Sequence, residues 1–125
     1  MINNKGFLIS RIRSIRDALN GVRFALLTQK NMWIHLVATG IVVIMGFWLC
    51  ITLTEWALLT LTISIVFVAE TVNTSIEKLS DCITTDYDKK IGIVKDVAAG
   101  AVLLAAIFAV VIGLLVFIPY LCKIF

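Results

Sequence analysis

The sequence predicts an all-α integral membrane protein. Hydrophobic residues make up 61% of its 125 residues and charged residues only 15%, with a mean hydropathy of +1.05. That composition is too apolar for the surface of an ordinary soluble domain. Three long apolar stretches, at residues 32–53, 56–76 and 97–118, could each cross a hydrocarbon core ~30 Å thick as a helix. We therefore expect one membrane domain over residues 1–125, with three transmembrane helices after an amphipathic N-terminal helix.

The N-terminal segment, residues 1–31, has the apolar periodicity of a helix that lies on a membrane. Its apolar side chains recur at spacings of three and four residues: Leu8, Ile12, Ile15, Leu19, Val22 and Leu26. At ~100° per residue they form one stripe, whereas Arg13, Arg16 and Asp17 fall on other faces. Such a helix lies in the headgroup region with its basic side chains toward lipid phosphates. It could be a simple anchor, or one of its arginines could reach a nucleotide.

The distribution of Lys and Arg predicts the orientation of the three spans. Basic residues precede the first span and lie again in residues 77–96, between the second and third spans, whereas the 52–55 connection has none. By the positive-inside rule, the N-terminus and segment 77–96 are cytoplasmic, and we expect 77–96 to be an active-site loop. Because the basic residues adjoin membrane ends, anionic headgroups account for them better than nucleic acid does.

Close contacts between subunits are expected from the third span. It carries a series of small residues that would let helices approach closely: Ala98, Ala99, Gly100, Ala101, Ala105, Ala106, Ala109 and Gly113. Three spans of this length enclose little core by themselves. The sequence therefore predicts a homo-oligomer.

A stripe of polar side chains marks the cytoplasmic end of the second span. Glu70, Asn73, Glu77 and Asp81 occupy an arc of about 80° on a helix. Counted from Trp56 at 1.5 Å per residue, Glu70 lies roughly 20 Å and Glu77 roughly 30 Å along the span. A carboxylate in hydrocarbon costs several kcal/mol unless it is paired, metal-bound or protonated, so this stripe requires a function.

Phosphoryl transfer to a membrane alcohol would use these residues in their order from membrane to water. Glu70 could act as the general base at the lipid hydroxyl, Glu77 could hold the Mg²⁺ that bridges ATP phosphates, and Lys95 could neutralise the moving phosphoryl group. The alternative is that Glu70 only stabilises the helix bundle or lines an ion path. His35, in the first span, is interpreted as a helix-packing residue.

Two sequence blocks resemble a known family. The string ETVNTSIEKLSD at 70–81, then TDYD at 85–88 and IVKDVAAGAVLL at 93–104, is similar to the signature of the prokaryotic diacylglycerol kinase and undecaprenol kinase family. The similarity runs without gaps from Gly21 to Leu104. It implies a homotrimer of three-span subunits in the cytoplasmic (inner) membrane of a bacterium. It also implies ATP as phosphoryl donor, Mg²⁺, and a membrane lipid acceptor, giving phosphatidic acid or undecaprenyl phosphate.

The resemblance assigns roles to individual residues. Glu70 matches the catalytic base at the substrate hydroxyl, and Asn73 and Lys95 match catalytic neighbours. The residues that it places around ATP are Arg11, Gln29, Glu77, Asp81, Asp86, Tyr87, Asp88, Lys95 and Asp96. Arg11 is the nearest candidate for the family's N-terminal arginine.

The proposed metal ligands, Glu77 and Gln29, include one departure from the family. Gln29 stands where many relatives carry a Glu, so it offers Mg²⁺ a carbonyl oxygen without a charge. This change is the only sequence support for a second hypothesis, a non-catalytic membrane oligomer that retains the kinase scaffold. The sequence leaves the acceptor open, because grooves for two acyl chains and for one polyprenyl chain are lined by the same residue types.

Overall fold

The chain folds into helices joined by short connections. The computed structural model describes residues 4–125, and this part contains four helices and no strand: α1 (Asn4–Thr28), α2 (Lys30–Trp48), α3 (Leu53–Ile83) and α4 (Lys89–Ile124). By length and composition, α2, α3 and α4 can each cross a membrane. The predicted all-α fold with three candidate spans is therefore confirmed. Of the predicted surface helix 1–31, residues 1–3 lie outside the described range, and its position on a membrane stays a prediction.

Most of segment 77–96, which was expected to be a cytoplasmic active-site loop, is helical, and its cytoplasmic location and its part in the active site stay predictions. Helix α3 continues to Ile83 and α4 begins at Lys89, which leaves only residues 84–88 outside helices. The hydropathy pattern ends where hydrocarbon would end, but polar residues such as Glu77 and Lys78 are good helix formers and sustain α3 beyond that point. The membrane boundaries 32–53, 56–76 and 97–118 stay predictions.

Helix α3 begins with a capping box. The Glu55 backbone N–H donates to Thr52 Oγ1 (3.2 Å), and the Thr52 N–H donates to Glu55 Oε2 (2.8 Å). The same Glu55 oxygen accepts a hydrogen bond from the Tyr120 hydroxyl at 2.6 Å. This carboxylate thus joins the start of α3 to the last turns of α4, which passes through Pro119 and ends at Ile124.

Packing is concentrated between α3 and α4, which share the largest helix–helix contact. The buried cluster beside the α2–α3 connection consists of Ile51, Leu59, Val116 and Phe117. Many other large apolar side chains are exposed in the single chain, including the α1 stripe members Leu8, Ile12, Ile15 and Leu19. The core of one chain is therefore small, and most of its apolar surface is available to lipid or to other subunits.

Gly46→Ala is expected to destabilise the α2–α3 connection. A Cβ at Gly46 would lie 2.6 Å from Trp56 Cη2 and 2.7 Å from Cζ2, and the Trp56 ring also packs on Phe47, with centroids 5.0 Å apart. Overlap of this kind typically costs about 1–3 kcal/mol. We expect a lower thermal unfolding temperature in detergent. Gly40→Ala, on the same helix, is the matched control, because its Cβ would meet nothing within 4 Å and Ala favours helix. Equal unfolding temperatures for the two variants would contradict the steric argument.

Candidate active site

A cavity of about 300 Å³ lies between α2, α3 and α4. Its polar lining comes from Asn31, His35, Glu70, Asn73 and Glu77. Its apolar lining consists of Ile34, Ala99, Val102, Leu103 and Ala106. Three of the four residues in the predicted polar stripe of α3, Glu70, Asn73 and Glu77, therefore line one cavity, as expected from their spacing.

Glu70 is the most unusual side chain in this cavity. It is only 1% exposed, and neither carboxylate oxygen has a hydrogen-bond partner among the described residues. The nearby Thr74 hydroxyl does not satisfy it, since that hydroxyl donates to the Glu70 backbone carbonyl (2.9 Å). A buried polar group without a partner is costly, so native proteins keep few of them. Both oxygens of Glu70 are thus free to accept a proton or a ligand.

Asn73 connects Glu70 to Glu77 along the same helix face. Its amide nitrogen donates to Glu77 Oε1 at 3.2 Å, while its own Oδ1 is buried and has no partner in the described part of the chain. Glu77 is half-buried, so the stripe passes from a buried to a partly accessible carboxylate. The order of the two glutamates from membrane to water stays a prediction.

The oxygens of Glu77 and Asn73 are of the type that Mg²⁺ binds. This ion usually takes one or two carboxylates and completes its shell with water and phosphate oxygens. Residues 4–125 contain no group of three or more His, Cys, Asp or Glu that could hold a metal. The donor set fits an ion bound jointly with phosphate, because it supplies carboxylate and amide oxygens but no complete shell.

Asp81 and Lys95 form an ion pair that joins α3 to α4. Lys95 Nζ lies 2.8 Å from Asp81 Oδ1, and the two side chains are 38% and 49% exposed, respectively. Exposed pairs of this kind contribute little to stability, because water competes for both partners. Lys95 could therefore leave Asp81 for a phosphate oxygen at little cost.

Three of the six remaining residues predicted to face ATP lie in the 84–88 connection. Asp86 and Tyr87 are exposed there, and Asp96 is exposed on α4. Asp88 has a structural function as well, since its Oδ1 accepts from the backbone N–H groups of Lys90 (2.8 Å) and Ile91 (3.1 Å) and so caps α4.

The structure does not bring Gln29 or Arg11 into the cavity lining. Gln29 is half-buried at the break between α1 and α2, and its side chain makes no capping hydrogen bond. The Arg11 guanidinium lies 4.9 Å from the centroid of the Phe7 ring, on its own helix. The roles of both residues toward metal or nucleotide stay predictions.

Asn31 was missed by sequence reasoning, and His35 was assigned only a packing role. His35 does pack, with its ring edge-on to Phe67 at a centroid distance of 6.3 Å, and it also lines the cavity. The available signal was their spacing of four residues, which puts two polar side chains on one face of an apolar helix. That spacing shows a shared face but not what the face contacts.

Three helices able to span a membrane, together with a buried free carboxylate in a polar cavity, define a multi-pass membrane protein with an enzyme-like site. Residues 16–117 match the family described as prokaryotic diacylglycerol kinase. The chain belongs to this family, as its sequence motifs predicted. It is therefore a lipid kinase, and membership implies ATP as co-substrate.

Curated relatives support this conclusion. The chain is 36% identical over 107 residues to the undecaprenol kinase of Bacillus subtilis strain 168. The aligned region covers 86% of this chain and 87% of the relative. It is 41% identical over 108 residues to a diacylglycerol kinase of Synechocystis, covering 85% of this chain and 61% of that protein. The diacylglycerol kinase of Escherichia coli K12 is 29% identical over 111 residues, covering 89% and 91% of the two chains.

Proposed function

We propose that the protein transfers the γ-phosphate of ATP to the hydroxyl of a membrane lipid alcohol, diacylglycerol or undecaprenol, with Glu70 as general base. The observation that carries this proposal is the pair of buried, unpartnered carboxylate oxygens of Glu70, in a cavity that also holds half-buried Glu77. A buried carboxylate without a hydrogen-bond partner lowers the stability of the folded protein, and a catalytic role explains why it is retained.

Glu70 accepts the proton of the lipid hydroxyl as the new bond forms. The acceptor oxygen bonds to the γ-phosphorus, the bond from that phosphorus to the β–γ bridging oxygen breaks, and ADP leaves with the bonding electrons. Because no donor within residues 4–125 occupies the Glu70 oxygens, either can meet the hydroxyl. Asn73, one turn further along α3, holds Glu77 through its amide nitrogen.

Glu77 and the free Oδ1 of Asn73 are the residues that would hold Mg²⁺. When bound, the ion neutralises charge on the phosphates. Gln29 is proposed as an ATP-side residue that adds a neutral oxygen ligand. Lys95 stabilises the phosphoryl group after exchanging Asp81 for phosphate, since the exposed ion pair is weak.

The nucleotide approaches from the end of the molecule that carries the 84–88 connection. Asp81, Asp86, Tyr87, Asp88, Asp96 and Arg11 are proposed to contact it. The excess of Lys and Arg in the N-terminal segment and in 77–96 supports a cytoplasmic N-terminus. The family supports the proposed location in a bacterial inner membrane. The exposed apolar side chains and the small-residue series of α4 support the proposed homotrimer.

Side-by-side phosphorylation of the two acceptors tests the proposal. We expect the purified protein, in mixed micelles with Mg²⁺ and labelled ATP, to transfer label to undecaprenol, to diacylglycerol or to both. Protein-free micelles are the control. If neither lipid is labelled at saturating ATP, the kinase proposal fails. The non-catalytic membrane oligomer, for which Gln29 is the sequence support, then becomes the better hypothesis.

A further inference from the structure

A second, apolar cavity of about 180 Å³ adjoins the candidate active site. It is lined by residues of the same three helices: His35, Ala38, Thr39, Val42, Ile63, Val66, Phe67, Ala106, Ala109 and Val110. His35 and Ala106 line both cavities, so the two cavities are adjacent at these residues. A ligand in the active-site cavity therefore lies next to the apolar cavity there.

The active-site cavity has a mixed polar and apolar lining, whereas the lining of the second cavity is almost entirely apolar. Asn31 and Glu70 lie in the active-site cavity on one side, and only His35 and Thr39 supply polar groups on the other. The Thr39 hydroxyl is already used, because it donates to the His35 backbone carbonyl at 2.7 Å. Phe67 holds the His35 ring edge-on and also lines the apolar cavity. The apolar cavity thus offers almost no hydrogen-bonding group to its contents.

We propose that this apolar cavity receives one hydrocarbon chain of the acceptor lipid while its hydroxyl lies beside Glu70. The inference rests on the proposed function and adds the chain-binding part of the same site. A lipid alcohol has a matching structure, because its polar hydroxyl end is joined to a hydrocarbon chain. Water would find few partners in such a cavity. From His35 to Val42 the lining covers about 10 Å of α2, so it holds only the first segment of a chain.

Shape, not hydrophobicity, would drive this binding. A lipid chain is already surrounded by hydrocarbon in the bilayer, so entry into an apolar cavity gains little from leaving water. The chain is retained by packing against the cavity wall. Filling the cavity with protein atoms should therefore exclude the chain by overlap.

Two filling variants on different helices test this. Ala109→Leu on α4 and Ala38→Leu on α2 each add atoms to the apolar cavity, and neither residue lines the cavity of Glu70. We measure kcat/KM for undecaprenol and for a prenol of one isoprene unit, and likewise for diacylglycerols with long and short acyl chains. We expect the long-to-short ratio to fall about tenfold, the usual scale for overpacking. Ala57→Leu, at an exposed α3 position that lines neither cavity and lies outside the small-residue series of α4, should keep the parental ratio.

The outcomes separate this inference from the proposed function. If the parent protein phosphorylates no acceptor, the proposed function fails. If it phosphorylates them and both filling variants keep the parental long-to-short ratio, the chain-binding inference is overturned. The same holds if the variants change the oligomeric state but not this ratio. A chain carrying a photoreactive diazirine tests the parent protein directly. Labelling among residues 106–110 supports the inference, and labelling confined to residues outside the cavity contradicts it.

Discussion

Glu70→Gln is expected to abolish lipid phosphorylation while ATP binding stays close to the parental level. The amide matches the carboxylate in size but cannot take the hydroxyl proton, and loss of a general base typically lowers kcat by about 10²–10⁴-fold. Since Glu70 makes no hydrogen bond through its side chain, the substitution breaks no contact in the described structure. The measurements are single-turnover phosphorylation and equilibrium ATP binding.

The stability of Glu70→Gln distinguishes a catalytic role from a structural one. Replacing a buried, unpartnered carboxylate by a neutral amide should leave the unfolding temperature unchanged or raise it. Glu55→Gln is the matched control on the same helix. The Glu55 carboxylate has the Thr52 N–H and the Tyr120 hydroxyl as partners, so this variant should lose stability but keep turnover per folded molecule. A Glu70→Gln protein that unfolds earlier and retains kcat would point to a structural role.

Glu77→Gln is expected to weaken Mg²⁺ and ATP binding more than it lowers kcat. The amide carbonyl can still accept the Asn73 hydrogen bond, so the local fold is retained while the ligand loses its charge. We expect the Mg²⁺ concentration for half-maximal rate to rise about tenfold or more. The rate is measured against Mg²⁺ at fixed ATP and against ATP at saturating Mg²⁺, which separates binding from turnover.

Asp17→Asn, which removes an exposed carboxylate from α1, is the control for this change of charge. Its Mg²⁺ dependence should match the parent. If Glu70→Gln and Glu77→Gln weakened ATP binding equally, the division of roles between base and metal ligand would be wrong.

The spans and the acidic stripe could be predicted because both follow from local patterns. Apolar runs give the three long helices, and the spacing of Glu70, Asn73 and Glu77 fixes their common face on α3 whatever packs against it. Family membership was predictable for a similar reason, since the residues that carry it stand in two short blocks.

Contacts between helices could not be predicted in this way. The pairing of Asp81 with Lys95 depends on how α3 and α4 meet across the 84–88 connection. The presence of Asn31 and His35 in the cavity depends on the rotation of α2 about its axis. Hydropathy also does not give the cytoplasmic helix ends, because good helix formers sustain α3 beyond the apolar run to Ile83, and Asp88 caps the start of α4.

The unbroken run of α3 through Glu70 and Glu77 has a consequence for how this enzyme could diversify. Seven residues of helix separate the two carboxylates by about 10 Å along the axis, a spacing that the backbone itself sets. Loops, termini and acceptor-facing walls can change in length and sequence without disturbing it. A single inserted residue between the two would turn one carboxylate by about 100° away from the other. Substrate preference can therefore change in this architecture without altering α3, whereas the spacing between the two glutamates must stay the same.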